Sequence, residues 1–136
     1  MSSSVFSSAH PVLSTPLLIA LVTLKGYQEF QKGKELYIED LAQYLVTLKA
    51  EGVDISRIAL SRNLDKYWSE DVAQFVSEGL VFGFLTQKSP LGFNQKCLDV
   101  CNRAITGYVK NDESLRPFVK RAQEILELDP LEACAA

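Results

Sequence analysis

The chain has 136 residues, of which 47% are apolar and 23% charged, and its formal net charge is −3. A chain of this length can form one globular domain whose core needs neither a metal nor a disulfide. The chain lacks the excess of Lys and Arg that most nucleic-acid-binding domains carry. A local basic patch, however, matters more for such binding than the net charge of the chain.

Three cysteines, Cys97, Cys101 and Cys134, make an odd number. We see no secretory signal, so this count argues against a disulfide scaffold and favours a reducing, cytoplasmic compartment. The apolar run near the N-terminus is shorter than the ~20 residues that a membrane span needs. We therefore expect a protein that does not enter the membrane.

Residues 1–14 are rich in serine and are predicted to be a mobile segment. Thr15 followed by Pro16 is a typical helix start, which predicts a first helix over residues 16–30. The stretch "LLIALVTL" at 17–24 is apolar on every side, so this helix lies either at the centre of the chain or in a subunit interface. We expect a homodimer, with Leu18, Ile19 and Val22 in contact with the partner.

The next segments are predicted as a short strand at 36–39, a helix at 39–50 that stops at Gly52, and a third helix at 54–66. The outer face of this third helix would carry three basic residues, Arg57, Arg62 and Lys66. They form either a stripe that contacts phosphates or an ordinary solvated face.

Ser69 predicts the start of a fourth helix, with Glu70 and Asp71 in the first turn where the helix dipole favours acidic residues. Gly79 is expected to end this helix. The stretches "LVFGFLTQ" and "LGF", separated by "KSP", predict a small β-hairpin at residues 80–93.

Asn94 can cap the following helix, which is predicted to bury Cys97 or Leu98, then Cys101, Ile105 and Tyr108. Cys97 and Cys101 share a helix face, but zinc needs about four ligands. Only His10 and Cys134, near the two ends, could supply the rest, so we expect buried apolar cysteines and no metal. A last helix is predicted at 114–128, and "LEACAA" at 131–136 is expected to fray.

The stretch "DVAQFVSEGLVFGFLTQKSPLGFNQKCLDVCNRAI" at 71–105 resembles winged-helix regulators of the MarR and PadR kind. Gly79-Leu80 precedes the first wing strand, and residues 91–96 resemble a second wing strand that leads into a helix. The resemblance covers about residues 16–109. It implies a mainly α (α+β) fold with a winged-helix-like domain at 15–110 and a C-terminal helix and tail at 111–136.

The resemblance implies a transcription regulator that contacts duplex DNA through Arg57, Arg62, Lys66, Lys88 and Lys96. The alternative is a protein-interaction adaptor that uses Glu70, Asp71 and the apolar first helix. The fold analogy favours DNA, but the charge pattern favours a protein. The helix in the recognition position, 69–79, has no Lys or Arg with which to approach phosphates.

No catalytic signature is present in the sequence. His10 is the only histidine, so no Ser-His-Asp or Cys-His arrangement can be built convincingly. No glycine-rich phosphate loop occurs either. We therefore expect a non-enzymatic protein without a cofactor.

Overall fold

The computed structural model describes residues 12–134, and this part of the chain folds into five α-helices and two antiparallel β-hairpins. The predicted mainly α (α+β) class is confirmed. The elements are α1 (Thr15–Gln31), α2 (Ile38–Ala50), β1 (Ser61–Asn63), β2 (Lys66–Trp68), α3 (Glu70–Phe82), β3 (Leu85–Lys88), β4 (Leu91–Phe93), α4 (Gln95–Asn111) and α5 (Arg116–Leu126). Short 3-10 turns lie at Glu113–Leu115 and Glu132–Cys134.

Helix α1 is the centre of the core. Ser14 rather than Thr15 caps it, because the Ser14 hydroxyl accepts a hydrogen bond from the N–H of Leu17. Residues 17–24 are all buried, and α1 packs against α2, α3, α4 and α5.

This packing changes the interpretation of Leu18, Ile19 and Val22, which were predicted to contact a partner. Leu18 and Val22 have no exposed surface and Ile19 is 7% exposed, so the chain itself covers them. A helix that is apolar on every side is therefore buried here without a second subunit.

The predicted strand at 36–39 is wrong. The N–H of Tyr37 donates a hydrogen bond to the Asp40 carboxylate over 2.8 Å, which stabilises the first turn of α2 and starts the helix at Ile38. Only Leu36 joins the second hairpin, since its carbonyl accepts a hydrogen bond from the N–H of Leu91 over 2.6 Å.

The predicted helix at 54–66 is also wrong, because distant side chains bind its backbone. The N–H of Ala59 donates to the Asp71 carboxylate over 2.6 Å, and the Arg57 carbonyl accepts from the Thr15 hydroxyl over 2.8 Å. These groups are thereby diverted from the ladder that a helix requires. The segment forms turns, and its second half is the β1–β2 hairpin.

Helix α3 continues past Gly79 and ends at Gly83, which has φ +83°. The left-handed conformation at Gly83 is the usual signal for the end of a helix. Gly79 serves a different purpose, since a Cβ there would lie 2.8 Å from both Leu85 Cδ1 and Phe84 Cε1. The predicted strand at 80–87 is therefore corrected to a strand that begins at Leu85.

The β3–β4 hairpin turns at Ser89-Pro90, as the sequence predicts, and leads into α4. Asn94 caps α4 by accepting a hydrogen bond from the N–H of Cys97. The buried face of α4 consists of Cys97, Cys101, Ile105 and Val109. The first three confirm the prediction, whereas Tyr108 is half-buried and Val109 takes the buried position.

The described parts of both termini are ordered against the core. Leu13 is 2% exposed, which corrects the predicted mobile segment at this residue; residues 1–11 of that segment lie outside the described residues. After α5 the Gln28 amide donates to the Glu127 carbonyl and accepts from the N–H of Asp129. Leu131 and Ala133 are consequently buried, so the prediction of a frayed tail is wrong for residues 131–134.

An ion cluster around the buried side chain of Glu29 lies at the C-terminal end of α1, and the Lys32 and Lys34 side chains reach it from the surface. Glu29, which is 5% exposed, forms salt bridges with Lys34 (2.9 Å), Lys32 (3.2 Å) and Lys25 (3.3 Å). The hydrogen bonds from these lysines, that of Lys34 first, lower the pKa of Glu29 from 4.5 to about 2 against the opposing effect of burial.

Substitution by alanine should change the stability of the protein in opposite directions at two helical glycines. Gly79→Ala should destabilise the protein by about 1–3 kcal/mol, because the new methyl group overpacks against Phe84 and Leu85. Gly107→Ala in α4 meets nothing within 4 Å and should stabilise it by up to about 1 kcal/mol. Urea unfolding measures both, and equal effects of the two substitutions would contradict this account.

Glu29 should make the free energy of unfolding depend on pH in the acidic range. Its folded pKa lies below its usual value, so its contribution is present above pH 4.5 and is lost as the pH falls toward about 2. At neutral pH, Glu29→Gln should cost about 1–2 kcal/mol of unfolding free energy. The gap between the variant and the unmodified protein should narrow below pH 4.5 in urea titrations. Glu124→Gln, at an exposed position, is the matched control; a gap that stays constant with pH would contradict the assignment.

Candidate functional site

The most unusual exposed surface lies along α3 and its C-terminal end. Val81 is 80% exposed and Phe82 is 66% exposed, although both are large apolar residues. They border an open groove of about 690 Å³. We call this groove and its rim the α3 surface; it includes Trp68, Glu70, Asp71, Gln74, Glu78, Val81, Phe82 and Lys88.

The α3 surface is acidic. It carries three carboxylates, those of Glu70, Asp71 and Glu78, and one lysine, Lys88 at the end of β3. Glu70 also accepts a hydrogen bond from the Trp68 indole over 3.0 Å, which orients the single tryptophan of the chain at the edge of the groove. The surface thus combines exposed apolar side chains with negative charge.

The end of α3 is tied to the beginning of α4. The Asn94 amide donates to the Gly83 carbonyl over 2.8 Å, and the Lys96 ammonium donates to the Phe82 carbonyl over 3.0 Å. Both carbonyls lie at the C-terminal end of α3, where a positive charge also complements the helix dipole. These two contacts fix the backbone that presents Val81 and Phe82.

The five residues predicted to bind nucleic acid do not form one stripe. Arg57 lies in a turn, and Arg62 and Lys66 lie on the two strands of the first hairpin rather than on a helix. Lys88 is on the second hairpin, and Lys96 binds the Phe82 carbonyl. The predicted spacing of Arg57, Arg62 and Lys66 along a helix is therefore corrected.

Arg62 is engaged within its own hairpin. Its Nε donates to the Leu64 carbonyl over 3.0 Å, and its guanidinium carbon lies 5.7 Å from the centre of the Tyr67 ring. A cation over an aromatic face is stabilised where it stands. The hairpin tip exposes Leu64, which is 88% exposed and has φ +61°.

The acidic residues predicted to bind a partner do lie together at the start of α3. Glu70 is exposed, whereas Asp71 is half-buried and uses one oxygen to hold the N–H of Ala59. Asp71 therefore has a structural duty in addition to its charge.

The two cysteines of α4 belong to the core. Cys97 is 0% and Cys101 is 1% exposed, and the hydrogen bond between them, with burial, raises the pKa of the Cys101 thiol. Within residues 12–134 no group of three or more His, Cys, Asp or Glu side chains is placed to hold a metal ion. His10 lies outside the described residues.

Comparisons of the chain with protein-family models, with curated proteins and with solved structures found no match. Among the described helices, none has the length and apolar character needed to cross a bilayer.

Sequence reasoning missed the exposed pair Val81 and Phe82 because it assigned them to the first strand of a β-hairpin, whereas they form the last turn of α3. The residue that could have revealed them is Gly83. A glycine readily adopts the left-handed conformation that ends a helix, so a helix that continues past Gly79 could end at Gly83. Leu64 gave no signal, since leucine is uncommon at positive φ.

Asn94 provides a test of how the α3 surface is held. Asn94→Ala removes both the cap of α4 and the donor to Gly83, and should cost about 1–2 kcal/mol of unfolding free energy. Asn94→Asp keeps the cap but loses the donor. Hydrogen exchange should therefore accelerate at the amides of Gly83 and Phe84 in both variants, but at Cys97 in Asn94→Ala only. Unchanged exchange at Gly83 in Asn94→Asp would contradict the tie.

Proposed function

We propose that this chain is a non-enzymatic, winged-helix-type regulatory protein that binds a protein partner through the α3 surface. The observation that carries the proposal is the exposed pair Val81 and Phe82 beside the carboxylates of α3. Exposed apolar patches with polar rims are typical of interaction sites.

The order of elements supports the resemblance to a winged helix. The chain runs from α1 through Leu36, α2 and α3 to the β3–β4 hairpin and α4. The β1–β2 hairpin is inserted between α2 and α3, and α5 follows α4. The hydrogen bond from the Leu91 N–H to the Leu36 carbonyl places Leu36 beside the two-stranded β3–β4 hairpin. In the winged helix that we propose, α3 is the counterpart of the recognition helix.

The charge on α3 favours a protein over DNA. A helix that enters the major groove approaches phosphates, and its affinity comes largely from Lys and Arg. Helix α3 instead presents Glu70, Asp71 and Glu78, and Phe82 and Val81 offer apolar area that phosphates do not use. The basic residues once expected at the duplex are dispersed over two hairpins, a turn and α4.

The chemistry of the surface defines the partner. Lys or Arg side chains of the partner would pair with Glu70 and Glu78, and apolar side chains would cover Val81 and Phe82. Aromatic anchors surrounded by polar contacts often carry most of an interface's binding energy. We therefore propose a basic segment with interspersed apolar residues as the ligand.

The proposal includes a cytoplasmic location and leaves out a homodimer through α1. All three cysteines are free thiols, which supports a reducing compartment. The apolar residues of α1 are covered by the chain itself, so they give no reason for a second subunit.

Selection from a random peptide library tests the proposal. Enriched peptides should combine Lys or Arg with Leu, Phe or other apolar residues. Phe82→Ser should weaken their binding by about tenfold or more, as loss of an aromatic anchor does. Glu78→Lys should weaken it further. Leu64→Ser removes an even more exposed apolar side chain from the first hairpin and is the matched control.

The same variants distinguish DNA binding. Affinity for random duplex DNA should be absent at about 50 mM salt, where phosphate contacts are strongest. DNA binding at that salt which collapses at about 200 mM and is unchanged by Phe82→Ser would overturn the proposal.

A further inference from the structure

A second groove lies between α1, α3 and α4. Its volume is about 360 Å³, within the size range of small-molecule sites. The floor is apolar: it contains Ile19 and Ala20 from α1, Phe75 from α3, and Cys101 and Ala104 from α4. Ile19, Ala20 and Cys101 belong to the buried core, so the floor is continuous with it.

One side of the groove is acidic. Asp71, Gln74 and Glu78 lie three and four residues apart on one face of α3, and all three border the groove. Among the described residues that line it, none is Lys or Arg. Neither carboxylate forms a salt bridge within residues 12–134.

The carboxylates also keep unused acceptor capacity. Asp71 accepts the N–H of Ala59 with Oδ2, and Glu78 accepts from Gln74 over 3.5 Å, which is the outer limit of a hydrogen bond. An ionised carboxylate offers about four lone-pair sites. Each can therefore accept further hydrogen bonds from a cation above the apolar floor.

We propose that this groove binds a small amphiphilic cation, an organic ammonium whose apolar body lies on Ile19, Phe75 and Ala104. The ammonium group would donate to Glu78 and to the remaining oxygen of Asp71. An anion is disfavoured by the two carboxylates. A bare metal ion is disfavoured because, apart from the Gln74 amide, apolar side chains provide the rest of the lining.

The groove and the α3 surface share one wall. Asp71, Gln74 and Glu78 of α3 line both the groove and the α3 surface. Binding of the cation does not require the proposed protein partner, so the two proposals succeed or fail separately.

Three ligands with the same six-carbon chain test the groove: hexylammonium, hexanol and hexanoate. Methyl resonances of Ile19, Val100 and Ala104 should shift with hexylammonium in NMR titrations, while those of Leu36 and Val119 should not. Hexylammonium should bind about threefold to fivefold more tightly than hexanol, the range expected of a solvent-exposed ion pair. Hexanoate should bind most weakly. Equal affinities, or shifts confined to other regions, would overturn the proposal.

Two variants separate the charge from the apolar floor. Glu78→Gln should reduce the preference for hexylammonium over hexanol, whereas Glu124→Gln on α5 should not. Ala104→Leu fills the groove and should weaken hexylammonium and hexanol alike. If Ala104→Leu abolished binding while Glu78→Gln left the preference intact, the site would take apolar molecules without regard to charge, and the cation assignment would be wrong. Phe82→Ser, which lies outside the groove, should leave all of these affinities unchanged.

Discussion

Helix α1 carries apolar side chains on every side over residues 17–24, and the burial of these side chains determines where the other helices lie. Each fully buried Leu, Ile or Val contributes about 1.5–3 kcal/mol relative to exposure. No single neighbour can cover such a helix, so α2, α3, α4 and α5 all contact it. The segment that holds Leu131 and Ala133 joins the same core. Helix α3 is therefore held by its inner face, through Val72 and Val76. Its outer face stays exposed to solvent.

Local signals were sufficient where a single side chain decides the structure. Asn94 and Ser69 each cap a helix at the position predicted from their residue types. The errors occurred where a distant residue decides. Asp71 accepts a hydrogen bond from the N–H of Ala59, and the helix predicted at 54–66 does not form. Gln28 accepts a hydrogen bond from the N–H of Asp129, and the tail predicted to fray is held against the core as far as residue 134. No pattern within those segments reveals such partners.

The candidate site was only partly visible in the sequence for the same reason. The acidic character of α3 follows directly from Glu70, Asp71 and Glu78. The apolar half of the surface, Val81 and Phe82, depended on whether α3 ended at Gly79 or at Gly83. Gly79 lies inside the helix, where Phe84 and Leu85 leave no room for a side chain, and Gly83 provides the left-handed cap. That packing comes from Phe84 and Leu85 as they fold back on α3, a tertiary contact that the sequence pattern does not reveal.

The hydrogen bonds from Asn94 and Lys96 to the end of α3 affect the entropic cost of binding a ligand at this surface. A flexible patch loses conformational entropy when it is ordered at an interface, at about 0.5–1.5 kcal/mol for each immobilised side chain. The carbonyls of Phe82 and Gly83 are already held by α4, so this backbone is preorganised before any encounter. Association at this end of α3 would then proceed as a rigid docking event, and differences in affinity between partners would reside mainly in their dissociation rates.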